Sequence, residues 1–164
     1  MKFINFRDYD FEAGSRHCFQ WVDVRKFKLP NHTSSDTEVI TRVINSVEYR
    51  DDYVGGGIDP DGSRHGPYWL HSLSPDSFDP TSAGDALEVL YTWLRNCGRL
   101  PANLEAELET HVIEPITSSE SVYILRELDE SAFNDYGNLH IEFHELIAID
   151  RPARIATVIV LTDD

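Results

Sequence analysis

Residues 139–164 constrain the fold more than any other stretch. They read Leu-His-Ile-Glu-Phe-His-Glu-Leu-Ile-Ala-Ile-Asp, then Arg-Pro-Ala-Arg, then Ile-Ala-Thr-Val-Ile-Val-Leu-Thr-Asp-Asp. Two apolar, β-branched runs flank a short break, which is the pattern of a β-hairpin. Ile155 to Leu161 is the most apolar strand of the chain, so it belongs near the centre of a sheet.

The other end of the chain supplies a second hairpin. Residues 2–10 have strand composition, a turn is expected over 12–16, and residues 17–28 alternate. Phe19, Trp21, Asp23, Arg25 and Phe27 share one face, and Val22 and Val24 lie on the other. Arg25, Lys26 and Lys28 are placed to neutralise acids elsewhere. Ser121 to Leu128 reads as a further strand.

Between the hairpins the period changes. Val39, Ile40, Val43 and Ile44 recur at helical spacing behind Ser35-x-x-Glu38, a capping box, which predicts a helix over 36–47. Ser82 caps a second helix over 82–97, with Leu87, Leu90, Tyr91 and Leu94 on one stripe and Gly98 at its end. Pro101 opens a third over about 101–113, which Pro115 is expected to stop. Residues 51–82 are rich in Gly, Pro and Asp and read as a long loop. The order strands, helices, strands predicts one α+β domain spanning 1–164. Its antiparallel sheet has about five strands, from the N-terminal hairpin and the C-terminal strands, covered on one face by two or three helices.

Charge narrows the range of partners. The formal net charge is −15. Residues 1–30 carry six basic and four acidic residues, whereas residues 31–164 carry eight basic and twenty-five acidic. Such a surface repels nucleic acid and anionic membranes and attracts a basic protein. No apolar run reaches membrane-spanning length, and the first residues lack the pattern of a signal peptide, so a cytoplasmic location is expected. In that setting the two cysteines, Cys18 and Cys97, are expected to be reduced.

Two sets of residues are candidates for function. In the first, His140, Glu142 and His144 alternate. On a strand they would share one face about 7 Å apart at successive steps, a platform for a divalent transition metal such as zinc, iron or manganese. The same pattern also suits a plain exposed polar strand face. The second set is acidic and aromatic. Asp51, Asp52, Asp59 and Asp61 supply charge, and Tyr53, Tyr68 and Trp69 supply anchors for a partner surface. No Gly-x-Ser-x-Gly elbow, phosphate loop, dinucleotide fingerprint or His-Glu-x-x-His motif is present. The leading expectation is a small acidic protein that captures a basic partner, such as an inhibitor or immunity protein for a nuclease toxin. The alternative is a metal-dependent enzyme using the His140/Glu142/His144 face.

Overall fold

Every neighbouring pair in the main sheet is antiparallel, and the two hairpins meet in the middle. In the computed structural model, which describes residues 1–12, 18–30 and 34–163, the six strands run in the order β1-β2-β8-β7-β6-β5. These are β1 (Lys2–Asn5), β2 (Gln20–Lys28), β5 (Phe78–Thr81), β6 (Ser121–Leu125), β7 (Phe143–Asp150) and β8 (Ile155–Asp163). A separate two-stranded ribbon joins β3 (Arg64–His65) to β4 (Tyr68–Trp69). The expected turn over 12–16 lies largely outside the described residues.

The α+β class and the joining of the two hairpins are as the sequence predicts. Strand β8 is central, paired with β2 from Gln20↔Asp163 to Lys28↔Ile155 and with β7 from Phe143↔Thr162 to Asp150↔Ile155. The sixth strand, β5, comes from the stretch read as loop. It lies at the edge, where Pro80 does not interrupt a central ladder.

Both faces of the sheet are covered. Against one face pack α2 (Ala83–Leu94), α3 (Ala102–Leu108) and α4 (Glu114–Ser118), whose Leu90, Trp93, Leu104, Leu108 and Ile116 meet Val22, Val24, Leu146, Ile159 and Leu161. Against the other lies α1 (Asp36–Ile44), whose Val39, Ile40 and Val43 join Ile147, Ile149, Val158 and Val160. Residues 47–73 complete that second layer, with Tyr49, Tyr53, Tyr68 and Leu73 buried in it. Burial on both sides is why β8 is apolar at nearly every position rather than at alternate ones. Each fully buried Leu, Ile or Val there contributes roughly 1.5–3 kcal/mol.

Local signals fix the helices. The capping box forms: Ser35 Oγ accepts from Glu38 N at 3.2 Å, and Glu38 Oε2 accepts from Ser35 N at 2.8 Å. Ser82 Oγ accepts from Asp85 N at 3.0 Å. Gly98 ends its helix at φ +69°, a left-handed conformation that glycine adopts without a Cβ clash. Pro115 does not stop its helix. The chain makes a wide π turn over Glu109–Ile113 and continues as α4, with Pro115 near the start of α4. No helix among the described residues is long and apolar enough to cross a membrane.

Cys18 and Cys97 are joined in a disulfide, where two reduced thiols were expected. The start of β2 and the turn after α2 bring their Cα atoms to 5.4 Å, within bridging range, and sequence spacing gives no hint of that approach.

Candidate functional site

The inward face of β2 carries two charges among its apolar residues. Trp21, Asp23 and Arg25 all point toward the layer formed by residues 47–73, and all are buried. Arg25 Nε donates to Asp23 Oδ2 at 2.5 Å, and its Nη2 donates to Asp51 Oδ2 at 2.6 Å. Its Nη1 donates to the Glu48 carbonyl. One guanidinium therefore bridges two buried carboxylates and ties the segment after α1 to the sheet. Burial lifts the Asp23 carboxyl above the ordinary aspartate range, and the adjacent Arg25 only partly offsets this.

A second polar anchor stands on β7. Glu145 and His65 are both fully buried, with Glu145 Oε2 at 2.6 Å from His65 Nε2. Tyr49 Oη donates to Glu145 Oε1 at 2.8 Å. His65 Nδ1 lies 2.5 Å from the Tyr49 carbonyl and donates to it, since a carbonyl only accepts. The rings of Tyr49 and His65 stack at 3.5 Å between centroids. Together the Arg25 and Glu145 anchors explain how a segment with little regular structure covers a sheet face: Tyr49, Asp51 and His65 are tied to charged partners on β2 and β7.

Gly66 completes the arrangement. At φ +49° it turns the ribbon directly over Phe143, and a Cβ there would meet the phenyl ring at 2.4 Å. The Asn134 side-chain amide donates to the carbonyls of Gly66 and Tyr68 at 2.9 and 3.0 Å and closes the turn.

Beside the Arg25 triad the covering layer leaves a gap. The result is a cleft of about 620 Å³. Its floor is Trp21, Asp23, Arg25 and Asp51, and its walls are Phe3, Tyr53 and Leu139. Phe3, Trp21 and Tyr53 form a run of rings with centroids 5.3 and 5.7 Å apart. Tyr53 has φ +59°, a conformation a bulky residue rarely adopts and one that costs about 1–2 kcal/mol. Asp51 Oδ1 holds it there by accepting from Tyr53 N at 2.8 Å. The rim is apolar and open: Phe3 is 53% exposed, Leu139 55% and Val54 42%. A concave, largely apolar site with a few buried charges is the common form of a binding pocket.

The acidic–aromatic set divides. Asp51, Tyr53 and Tyr68 are buried, so they are not surface anchors as expected. Asp51 and Tyr53 help build the cleft, and Tyr68 packs on Phe133. Trp69 is half-buried and stacks with His71. Asp59 and Asp61 are exposed, and Asp52 is half-buried, accepting from Val54 N at 3.0 Å.

The alternating histidine set does not share a strand face. Strand β7 begins at Phe143, so His140 and Glu142 precede it and the strand alternation does not apply to them. His140 Nε2 donates to the Asp52 carbonyl at 3.0 Å, and Nδ1 lies 3.2 Å from Thr162 Oγ1. His144 Nε2 lies 3.2 Å from Glu142 Oε2. Among the described residues, no three His, Cys, Asp or Glu side chains are gathered to hold a metal ion.

The residues missed at the sequence level are Asp23, Arg25, His65 and Glu145 as a buried set. Asp23 and Arg25 on the inward face of a strand were the available signal, because a charge facing a core requires a partner.

No family model matches the chain, and no curated protein matches it. Among solved structures, the crystal structure of citrus MAF1 is similar over 96% of this chain and 92% of that chain, with 11% sequence identity and a TM-score of 0.48. A likeness of that size carries no argument about function.

Proposed function

We propose that this protein captures a basic protein partner, as an inhibitor or immunity protein for a nuclease toxin does. The observation that carries this reading is the open cleft bordered by exposed apolar residues, on a chain that also exposes Asp59 and Asp61. An exposed apolar rim marks an interaction surface. A surrounding field as negative as −15 steers a basic partner toward it, and such steering raises association rates by about 10–10³.

Division of labour follows from burial. Asp59 and Asp61 are solvated and act on the encounter rate, and pairs they form are weak and salt-sensitive. The Phe3, Val54 and Leu139 rim is desolvated on binding and sets the lifetime of the complex. The test is binding to basic proteins encoded beside this one, at low and raised salt. A partner whose affinity falls with salt and with Asp59→Lys/Asp61→Lys supports the reading. Absence of binding to every such candidate at low salt ends it.

A further inference from the structure

The Arg25 triad has one feature that stability alone does not require. Two carboxylates face one guanidinium, and all three line the cleft. Arg25 gives one N–H from each nitrogen, Nε to Asp23, Nη2 to Asp51 and Nη1 to the Glu48 carbonyl, so its charge is shared between two carboxylates. Asp51 uses Oδ2 on Arg25 and Oδ1 on Tyr53 N. Asp23 meets Arg25 through Oδ2 alone. The Tyr53 hydroxyl is buried beside the Asp23 carboxyl and favours its charged form. The cleft floor therefore sets two carboxylates against one guanidinium, within aromatic walls.

We propose that this cleft is an anchor pocket for the ammonium group of a lysine side chain on the captured partner, with Asp23 as its acceptor and Phe3, Trp21 and Tyr53 around its methylene stem. This deepens the capture reading and rests on it for the source of the lysine. Charge selects a cation, since two carboxylates on the floor face one guanidinium. Geometry selects lysine over arginine. A planar guanidinium gains most from two parallel bonds to one free carboxylate, and here each carboxylate already spends an oxygen on Arg25. An ammonium is a point charge that needs one acceptor and tolerates the rest being aromatic faces. Desolvation strengthens the attraction, because burial has already removed water from the Asp23 carboxylate.

The experiment titrates isotopically labelled protein with four butyl compounds that share one tail: n-butylammonium, n-butylguanidinium, n-butanol and butyrate. Resonances of the Trp21 indole and the Val54, Gly55 and Gly57 amides report the cleft. The expected result is that n-butylammonium binds about tenfold or more tighter than butanol or butyrate, and tighter than n-butylguanidinium. Asp23→Asn removes the preference for the cation. Phe3→Lys, at an exposed position on the edge strand β1, places an ammonium at the mouth and suppresses n-butylammonium binding. That variant decides the matter if Asp23→Asn does not fold. Equal or tighter binding of butanol or butyrate, tighter binding of the guanidinium, no response at the cleft, or unchanged ammonium binding in Phe3→Lys would each overturn the proposal. The probes are small amines, so failure here with protein capture intact removes only the anchor pocket. Loss of protein capture with the amine preference intact removes only the capture reading.

Discussion

His65 Nε2 lies 2.6 Å from Glu145 Oε2, with both side chains wholly shielded from water. Because His65 Nδ1 already donates to the Tyr49 carbonyl, the short contact needs exactly one proton between nitrogen and oxygen. An imidazolium facing a carboxylate and an imidazole facing a carboxylic acid satisfy it equally.

That proton count makes a contrast between two substitutions. In Glu145→Gln, the amide donates to His65 Nε2 and its oxygen accepts from Tyr49 Oη, so every group keeps a partner. The cost is expected to stay near 1 kcal/mol. In Glu145→Ala, His65 and Tyr49 lose their partner inside a cavity, and the loss is expected to reach about 3–5 kcal/mol. Urea unfolding of the two variants measures the difference.

Arg25 holds two carboxylates, so Arg25→Met leaves Asp23 and Asp51 buried without a counter-charge. The expected loss is about 3–5 kcal/mol at neutral pH. Asp23 already has its carboxyl raised by burial, and a raised carboxyl favours the fold below its folded value and loses that advantage as pH rises through it. The variant is therefore expected to regain part of its stability as the pH is lowered toward the acid range. Denaturation midpoints across that range check both the size and the sign.

The Cys18–Cys97 bridge closes a long loop, with a sequence separation of 79. Removing it in Cys18→Ala/Cys97→Ala is expected to cost about 4 kcal/mol through the greater freedom of the unfolded chain. Thermal unfolding with and without reductant, beside intact mass before and after alkylation, tests this.

Tyr123 links the sheet to α1 by donating to Asp36 Oδ2 at 2.7 Å, and Arg151 Nη2 binds the other oxygen of the same carboxylate. Burial, then the hydrogen bond to Asp36, pushes the Tyr123 hydroxyl up to about 12. The folded state keeps that proton when the unfolded chain, near 10, has lost it, so stability falls as pH rises between these values. Burial alone would raise Asp36, but bonds from Tyr123 and Arg151 outweigh it and hold the carboxyl below its ordinary range. Its contribution is present at neutral pH and lost as pH falls through the lowered value. Tyr123→Phe is expected to flatten both arms of the stability–pH curve, and unfolding midpoints at acid, neutral and alkaline pH read this out.

Much of the architecture is legible in local chemistry. Ser35 and Glu38 announce α1 because both halves of a capping box are in the sequence. Ile155 to Leu161 announces a central strand because only burial on two faces tolerates so few polar positions. Pro115 misleads, since the rule that proline ends a helix assumes regular turns, and the π turn before it changes the register. The second covered face was not legible. The 47–73 segment is ordered by Arg25–Asp51 and His65–Glu145, pairs separated by 26 and 80 residues. No periodicity links residues that far apart. The cleft is half legible: Asp51 and Tyr53 stand out for charge and aromaticity and Arg25 as a cation that neutralises acids elsewhere, but nothing in the sequence pairs Arg25 with Asp51, and Asp23 shows only as strand alternation. The histidine set failed on register, because the strand begins three residues after His140.

The most direct test of partner capture is calorimetric titration with the basic proteins encoded beside this one, at about 50 mM and about 300 mM salt. The account predicts that one of them binds at micromolar affinity or tighter at low salt. It also predicts that binding weakens about tenfold or more at high salt and weakens likewise in Asp59→Lys/Asp61→Lys. Affinity that is unchanged by salt and by the charge reversal, or no binding by any candidate at low salt, would contradict it.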